Sequence, residues 1–590
     1  MRSAKDPAGA IVHDTPVPAQ PGNEFWGSDP IAAVLGGLDI PYIALVPGSS
    51  YRGLHDSIVN YLGNRAPQMV LTLHEENTVA IAHGYAKASG RMMAAAMHAN
   101  IGIMRAVMAV YNAWCDRAPI LMFGATGPWD ATRRRPWIDW IHTSADQGAI
   151  VRNITKWDNQ PGSVGAAVEA IMRAAQIAQT APQGPVYVNL EVAMQEEKIG
   201  ALPPLPDVAR YAAPPAVRPA PELVAAAARL LSGAKSPLML AGRCSRSLEG
   251  WNARVALAEK LNMPVLTHIK LAAAFPTDHR LHAAPPGPSL TPEALRLAAG
   301  ADVILALDWL DLAGTLKQAY GAGPVAAKVI NVSCDAHSHR GWSMDHQGLP
   351  PADVYLMCET DAAVPLLLEA VSPRTAGVKS YPSAPLPPAP TEAVSMRGVG
   401  IALEAATRGI DVCYTRFPLG WNGAYTHLRH PLDYIGHDGG AGVGSGPGHD
   451  GRRGACVEGL RAVADRHHGR RGFPDGEYRG MDRRALPDPL PDDREQQPLV
   501  LQRRAPPRTH GARARAAGGE PLDRPAHRRA RHRHRRHGAH DGRDRHRAGY
   551  RSGQSAGRHR GRHRGGTHGQ GVRHRRSRAS RLRQPRLRLR

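Results

Sequence analysis

QMVLTLHEENTVAIAHGYAKASG, residues 68–90, decides the fold. Gln68 to Leu73 is a mostly apolar run of strand length that passes without a loop into a helical pattern, in which Val79, Ala82 and Ala86 recur at spacings of three and four. Glu75 and Glu76 occupy the first turn, where carboxylates suit the positive end of a helix. A strand-to-helix junction of this kind exposes its first helical residues at the carboxyl edge of a parallel sheet, where open α/β folds keep their sites.

The same alternation extends to both sides. Ile40 to Val46 reads as a strand ended by the turn PGSSYRG, and a helix over Leu54 to Leu62 leads to the quoted segment. Met92 to Met97, a helix through Ala106 to Trp114, Pro119 to Gly124 and Pro185 to Leu190 continue it. Short apolar runs separated by helices predict a buried parallel sheet for an N-terminal α/β domain over 26–198. From Ala201 to Leu223, Pro stands at seven of 23 positions, so 199–221 is expected to be an extended linker. A central α/β domain is expected over 222–370, with helices over Glu222 to Leu231, Ala253 to Leu261 and Pro292 to Ala299. Its strands are placed at Pro237 to Ala241, Pro264 to Thr267, Val303 to Leu307 and Ala327 to Val332. After a second Pro-rich stretch a third domain opens at 391–448, with a helix near Thr391 to Thr407 and a strand at Val412 to Tyr414. Periodicity then stops at GHDGGAGVGSGPG.

The chain of 590 residues carries a net charge of +23, which suggests a nucleic-acid binder until the chain is divided at Gly448. Residues 449–590 hold 39 Arg, no Lys, 14 Asp plus Glu and 14 His, and lack Ile and Trp; residues 1–448 have a net charge of −2. The tail therefore has too little apolar surface to offset the entropy of ordering and is expected to be a basic, disordered, low-complexity segment. The six Cys are scattered singly, so no disulfide framework or thiolate metal site is expected, and the cytoplasm is the expected compartment. Residues 1–25 lack the apolar core of a signal peptide, and no apolar run is long enough to span a membrane.

Three segments in order carry a resemblance: HEENTVAIAHGYAKASG at 74–90, GPVYVNLE at 184–191 and LGWNGAYTHLRHPLDYIGHDGGAGVGSGPG at 419–448. Together they resemble the thiamine-diphosphate-dependent 2-oxo acid enzymes, a family that includes acetolactate synthase and benzoylformate decarboxylase. The resemblance implies successive parallel-sheet α/β domains, with thiamine diphosphate and Mg²⁺ as cofactors. It places on Glu75 the carboxylate that hydrogen-bonds the aminopyrimidine ring and promotes removal of the thiazolium C2 proton. Cofactor binding extends by the same argument to Gly48 and Asn100. His74, His98, Asn112, Asp116, His427 and His430 are substrate-contacting or supporting candidates. A carboxylate against an apolar ring can share a proton with the ring nitrogen, so the assignment to Glu75 is chemically sound. AGRCSRS at 241–247 has one Gly at a strand end and no nucleotide fingerprint, so FAD is not expected. No His, Cys and carboxylate cluster has metal-ligand spacing.

The family's third domain should carry a GDG motif followed after about two dozen residues by paired Asn, which together hold Mg²⁺ on the diphosphate. The written sequence has neither. Read from the second base of plausible codons, His449 to Asp475 can encode MTVGAALALKGSGRLPIATMGDGDFLT, and Asp493 to Gln497 with the start of Pro498 can encode TVNNS. Both motifs then fall in one shifted frame at the family spacing, which points to a frameshift near Gly448. The expected protein is a decarboxylase or carboligase of a 2-oxo acid, a homodimer or homotetramer when intact, with its third domain disrupted and its activity defective as written. Two alternatives stand beside it. One is a non-enzymatic or regulatory partner chain; the other is a cationic protein that binds nucleic acid nonspecifically through the Arg-rich tail.

Overall fold

The computed structural model describes residues 24–337, 348–374, 380–381, 394–410, 412–418 and 420–442. All of them fall in the first of two units, Met1–Tyr478. The basic tail expected to be disordered, 449–590, lies outside the described residues, as does the end of the third-domain entry from 443.

Two parallel α/β domains are present. In the first, α1 (Ser28–Gly37), β1 (Tyr42–Leu45), α2 (Arg52–Asn60), β2 (Gln68–Leu71), α3 (Glu75–Ser89), β3 (Met93–Ala96), α4 (Ala99–Cys115) and β4 (Ile120–Thr126) follow one another. A helical turn, α5 (Ile138–Ile141), then precedes β5 (Trp157–Asn159), α6 (Val164–Gln179), β6 (Val186–Glu191) and a second turn, α7 (Val192–Gln195). The strand order is β2-β1-β3-β4-β6-β5, all parallel. β3 reads Met-Ala-Ala-Ala and is buried along its length. Small side chains on both faces of this central strand suit a sheet covered on both sides by helices. One face packs α1, α2 and α6 through Ile31, Leu35, Leu54, Ile58 and Ile171, and the other packs α3 and α4 through Val79, Ala82, Ile103 and Val110.

The second domain repeats the plan with α8 (Pro221–Gly233), β7 (Pro237–Ala241), α9 (Leu248–Lys260), β8 (Val265–Thr267), α10 (Pro292–Ala299), β9 (Val303–Leu307), α11 (Leu312–Tyr320), β10 (Lys328–Val332), β11 (Val354–Leu356) and α12 (Thr360–Ala370). Its order is β11-β10-β9-β7-β8, again parallel. Between the domains the expected extended linker contains a 3-10 turn at Val208–Tyr211, capped by the Asp207 side chain.

Of the third segment, α13 (Met396–Thr407) forms as expected. The strand placed at Val412 to Tyr414 does not: Tyr414 makes only an isolated parallel bridge to Tyr434. An aromatic cluster takes over instead. Phe417, Trp421, Leu428 and Tyr434 bury themselves with Trp251, Ile269 and Ala273 of the central domain, and Phe417 stacks on Trp421 with centroids 5.0 Å apart. Apolar burial outweighs strand propensity in a segment with no neighbouring strand to complete a ladder.

Candidate functional site

In the first sheet the chain runs from β1 outward to β2 and then returns to the other side of β1 for β3, so β1 and β3 flank the switch in direction. The carboxyl ends of such strands open a crevice. Three stretches meet there: Gly48 to Tyr51 after β1, His74 and Glu75 after β2, and His98 to Gly102 after β3. Gly48 lies against His98 so closely that a Cβ would sit 2.4 Å from the imidazole Nδ1. Ser50 Oγ is 3.0 Å from that same Nδ1. The β1 turn is held from below by the buried Gln195, whose amide donates to the Ser50 carbonyl at 3.0 Å and accepts from the Leu54 N–H at 3.3 Å.

Glu75 is the first residue of α3, and His74 caps the helix by accepting the Glu76 N–H on its side chain. The Glu75 side chain is 3% exposed, yet its Oε2 has no hydrogen-bond partner. Its ion-pair neighbour is Arg105 on α4, 3.6 Å away and largely exposed. A buried carboxylate oxygen left unsatisfied is costly, so such an atom marks a place made for something the protein chain does not supply. Asn100 Oδ1 and Tyr51 Oη are likewise buried without partners. Burial pushes the Tyr51 phenol far above its usual range, and the Glu75 charge adds to the shift. His98 is held below its ordinary value by burial and by His142, with Glu75 opposing. The rings of His98 and His142 meet edge to face, 4.5 Å between centroids.

Of the residues expected from the sequence, the fold brings Glu75, Gly48, His74, His98 and Asn100 to one strand edge. Sequence reasoning missed Ser50, Tyr51, Arg105 and His142. The first two sit in the PGSSYRG turn already recognised as a strand end, whereas His142 comes from a loop 44 positions beyond His98 and gave no signal.

The remaining candidates lie elsewhere. Asn112 and Asp116 are at the opposite end of α4, about 20 and about 27 Å along the helix axis from His98 at about 1.5 Å per residue. Asn112 Oδ1 accepts from the N–H groups of Gly440 and Gly442 at 3.1 and 3.4 Å. Asp116 joins His83 Nε2 at 2.9 Å and Lys87 Nζ at 2.7 Å, and Lys87 also donates to the His437 carbonyl. Burial alone would raise the Asp116 carboxyl, but Lys87 and His83 outweigh it and hold the group well below the usual range. His427 pairs with Asp278 of the central domain, and His430 Nδ1 accepts the Leu432 N–H at 3.1 Å. Asn112, Asp116 with Lys87, and His427 fasten the third segment to the two domains, whereas His430 braces a turn within it.

Among the described residues no group of three or more His, Cys, Asp and Glu side chains could hold a metal ion. The Glu75 crevice does fit one end of thiamine diphosphate: a buried carboxylate oxygen that accepts no hydrogen bond matches an aminopyrimidine. The residues expected to hold the diphosphate and its Mg²⁺ fall beyond 442 and outside the described residues. A second cavity, about 350 Å³, lies at the carboxyl ends of β7, β9 and β10, lined by Arg117, Arg243, Arg246 and Asp308 among others. Burial, reinforced by Arg117, pushes the Arg243 guanidinium down to about 10.

Comparison with known proteins agrees with this architecture. Residues 25–150 match the thiamine pyrophosphate enzyme N-terminal TPP binding domain, and residues 224–341 match the central domain of the same enzymes. Benzoylformate decarboxylase of Pseudomonas aeruginosa is 28% identical over 278 residues, 45% of this chain and 49% of that protein. Sulfoacetaldehyde acetyltransferase of Rhodobacter capsulatus is 32% identical over 268 residues, 44% and 42% of the two chains. The chain thus spans about half the length of the curated relatives it matches. The crystal structure of benzoylformate decarboxylase from Polynucleobacter necessarius shares the fold, with a TM-score of 0.61 at 19% identity over 75% of this chain and 78% of that one. With two successive domains matched in order, residues 25–150 and 224–341 are similar to the N-terminal and central domains of thiamine-diphosphate enzymes, and the chain is related at low identity to acetolactate synthase and benzoylformate decarboxylase.

Proposed function

We propose that this chain carries the aminopyrimidine side of a thiamine-diphosphate site whose reaction is decarboxylation of a 2-oxo acid or carboligation of the product, and that the chain as written is defective. The buried Oε2 of Glu75, which accepts no hydrogen bond, carries this reading. When bound, thiamine diphosphate supplies the carbon nucleophile and the electron sink for such chemistry. Glu75 would hold the aminopyrimidine ring and keep a proton on the carboxylate–ring hydrogen bond; Gly48 leaves room beside it, and Asn100 offers a further acceptor. His98 and His74, on the same edge, are the groups placed to exchange a proton with a 2-oxo acid. Exposed Leu73 and Met104 near the crevice support assembly with a second subunit that would cover it.

The missing half of the site supports the defect. Diphosphate and Mg²⁺ need the Asp and Asn that appear only when the sequence after Gly448 is read in the shifted frame. Mg²⁺ use, a 2-oxo acid substrate, and a homodimer or homotetramer all belong to the frame-restored protein. The 39 Arg after Gly448 favour one further property of the written chain, salt-sensitive binding of polyanions without sequence preference. The test is Glu75→Gln in a version restored in frame after Gly448. Exchange of the thiazolium C2 proton, followed by NMR in deuterated buffer, should slow by more than about tenfold. An unchanged rate would remove Glu75 from the role.

A further inference from the structure

His142 has no place in the sequence reading, yet it is buried and meets His98 ring to ring. Its loop is pinned on both sides. The Gly127 N–H donates to the His142 carbonyl at 3.3 Å, and Asp139 receives the Arg135 backbone N–H at 2.7 Å and its guanidinium at 2.8 Å. His98 in turn touches the Gly48 backbone and places Nδ1 on Ser50, while Nε2 makes no hydrogen bond among the described residues. Two of its three surroundings, Gly48 and Ser50, lock the base of the ring. His142 supplies the third.

We propose that His142 is a positioning residue that acts through His98, fixing its ring so that Nδ1 is spent on Ser50 and Nε2 is the nitrogen offered to a substrate in the Glu75 crevice. The inference rests on reading that crevice as a thiamine-diphosphate site. Two imidazoles at this separation do not both take a proton without mutual repulsion, so the pair titrates as a unit. The charged and titratable groups around it are Glu75 and Tyr51 on the crevice side and Asp139 and Arg135 on the loop side. Burial lowers both histidines; His142 lowers His98 further, whereas Asp139 opposes the shift at His142. His98 is thereby shifted toward the neutral ring, the form that can accept a proton.

The experiment is hydrogen–deuterium exchange at the imidazole carbon between the nitrogens, read peptide by peptide by mass spectrometry on the full chain from about pH 5 to pH 9. It requires neither cofactor nor turnover, so it is independent of the thiamine-diphosphate binding that tests the crevice itself. His142→Asn keeps a polar group in the loop and should move the His98 midpoint upward, cutting neutral His98 near pH 6 by about twofold or more. His98→Asn should move the His142 midpoint in the same direction, because coupling between two sites is reciprocal. A purely structural role would change the plateau exchange rate, which reports accessibility, and leave the midpoints alone. An unmoved His98 midpoint in folded His142→Asn overturns the proposal, whatever the plateau does.

Discussion

Gly102 and Glu75 face each other across the start of α4: a Cβ on Gly102 would come within 3.3 Å of the Glu75 Cγ and 3.1 Å of the Met97 carbonyl carbon. The carboxylate therefore keeps its place partly because residue 102 has no side chain. Gly102→Ala gains about 1 kcal/mol of helix propensity but must displace backbone as well as Glu75, at about 1–3 kcal/mol. The expected net effect is a loss of about 1 kcal/mol, read as a lower denaturation midpoint. A more stable variant would show that Met97 and Glu75 have slack.

Gly48→Ala makes a sharper demand. Its Cβ would meet His98 Nδ1, Cγ and Cβ at 2.4, 2.5 and 2.6 Å, so the ring must leave its rotamer and give up Ser50. A loss of about 1–3 kcal/mol is expected, together with faster exchange at the His98 imidazole carbon. Unchanged exchange would mean that the β1 turn, and not His98, moves.

Which of these features the sequence disclosed follows from how local they are. Glu75 was legible because strand, helix start and acidic first turn adjoin in 68–90. Gly48 and His98 were legible as strand ends, but their mutual contact was not, since it depends on β1 and β3 being neighbours although β2 intervenes in the chain. His142 arrives from a loop after β4 with no periodicity to mark it. Asn112 and Asp116 were grouped with the crevice through the family resemblance alone, and the length of α4 separates them from it. The segment Val412 to Tyr414 was expected as a strand from its apolar run and forms only the isolated bridge of Tyr414 to Tyr434; what the sequence could not reveal was the aromatic cluster that the following residues join.

Asp116 provides a pH test of the seam between domains. Its carboxyl lies below the usual range in the fold because Lys87 and His83 outweigh burial, so its stabilisation is present above the unfolded value near pH 4 and disappears as pH falls toward the folded one. Asp116→Asn should cost about 3 kcal/mol at neutral pH, since Lys87 is left buried, and the cost should shrink below about pH 3. Thermal melts of both proteins across that range check it. A constant difference would mean that Asp116 acts through packing.

His282 gives an acid sensitivity of the same sign in a higher pH window. Burial lowers it from 6.5 to about 4, and its Nε2 lies 2.9 Å from Thr267 Oγ1. The unfolded chain takes a proton in that window and the folded chain does not, so stability falls as pH drops from 6.5 through about 4. His282→Gln, which can keep a bond to Thr267, should flatten this part of the stability profile. An equally steep profile would assign the acid sensitivity to another group.

The central claim is that the Glu75 crevice is half of a thiamine-diphosphate site and that the other half was lost to the frame change after Gly448. Losing the metal and charge-assisted contacts, at about 1.5–3 kcal/mol each, should weaken binding by several orders of magnitude. The direct measurement is calorimetric titration of thiamine diphosphate, with and without Mg²⁺ at about 0.5 M salt, into the chain as written and into a version restored in frame. The account predicts Mg²⁺-dependent, micromolar binding only in the restored protein. Mg²⁺-dependent micromolar binding by the written chain would contradict it.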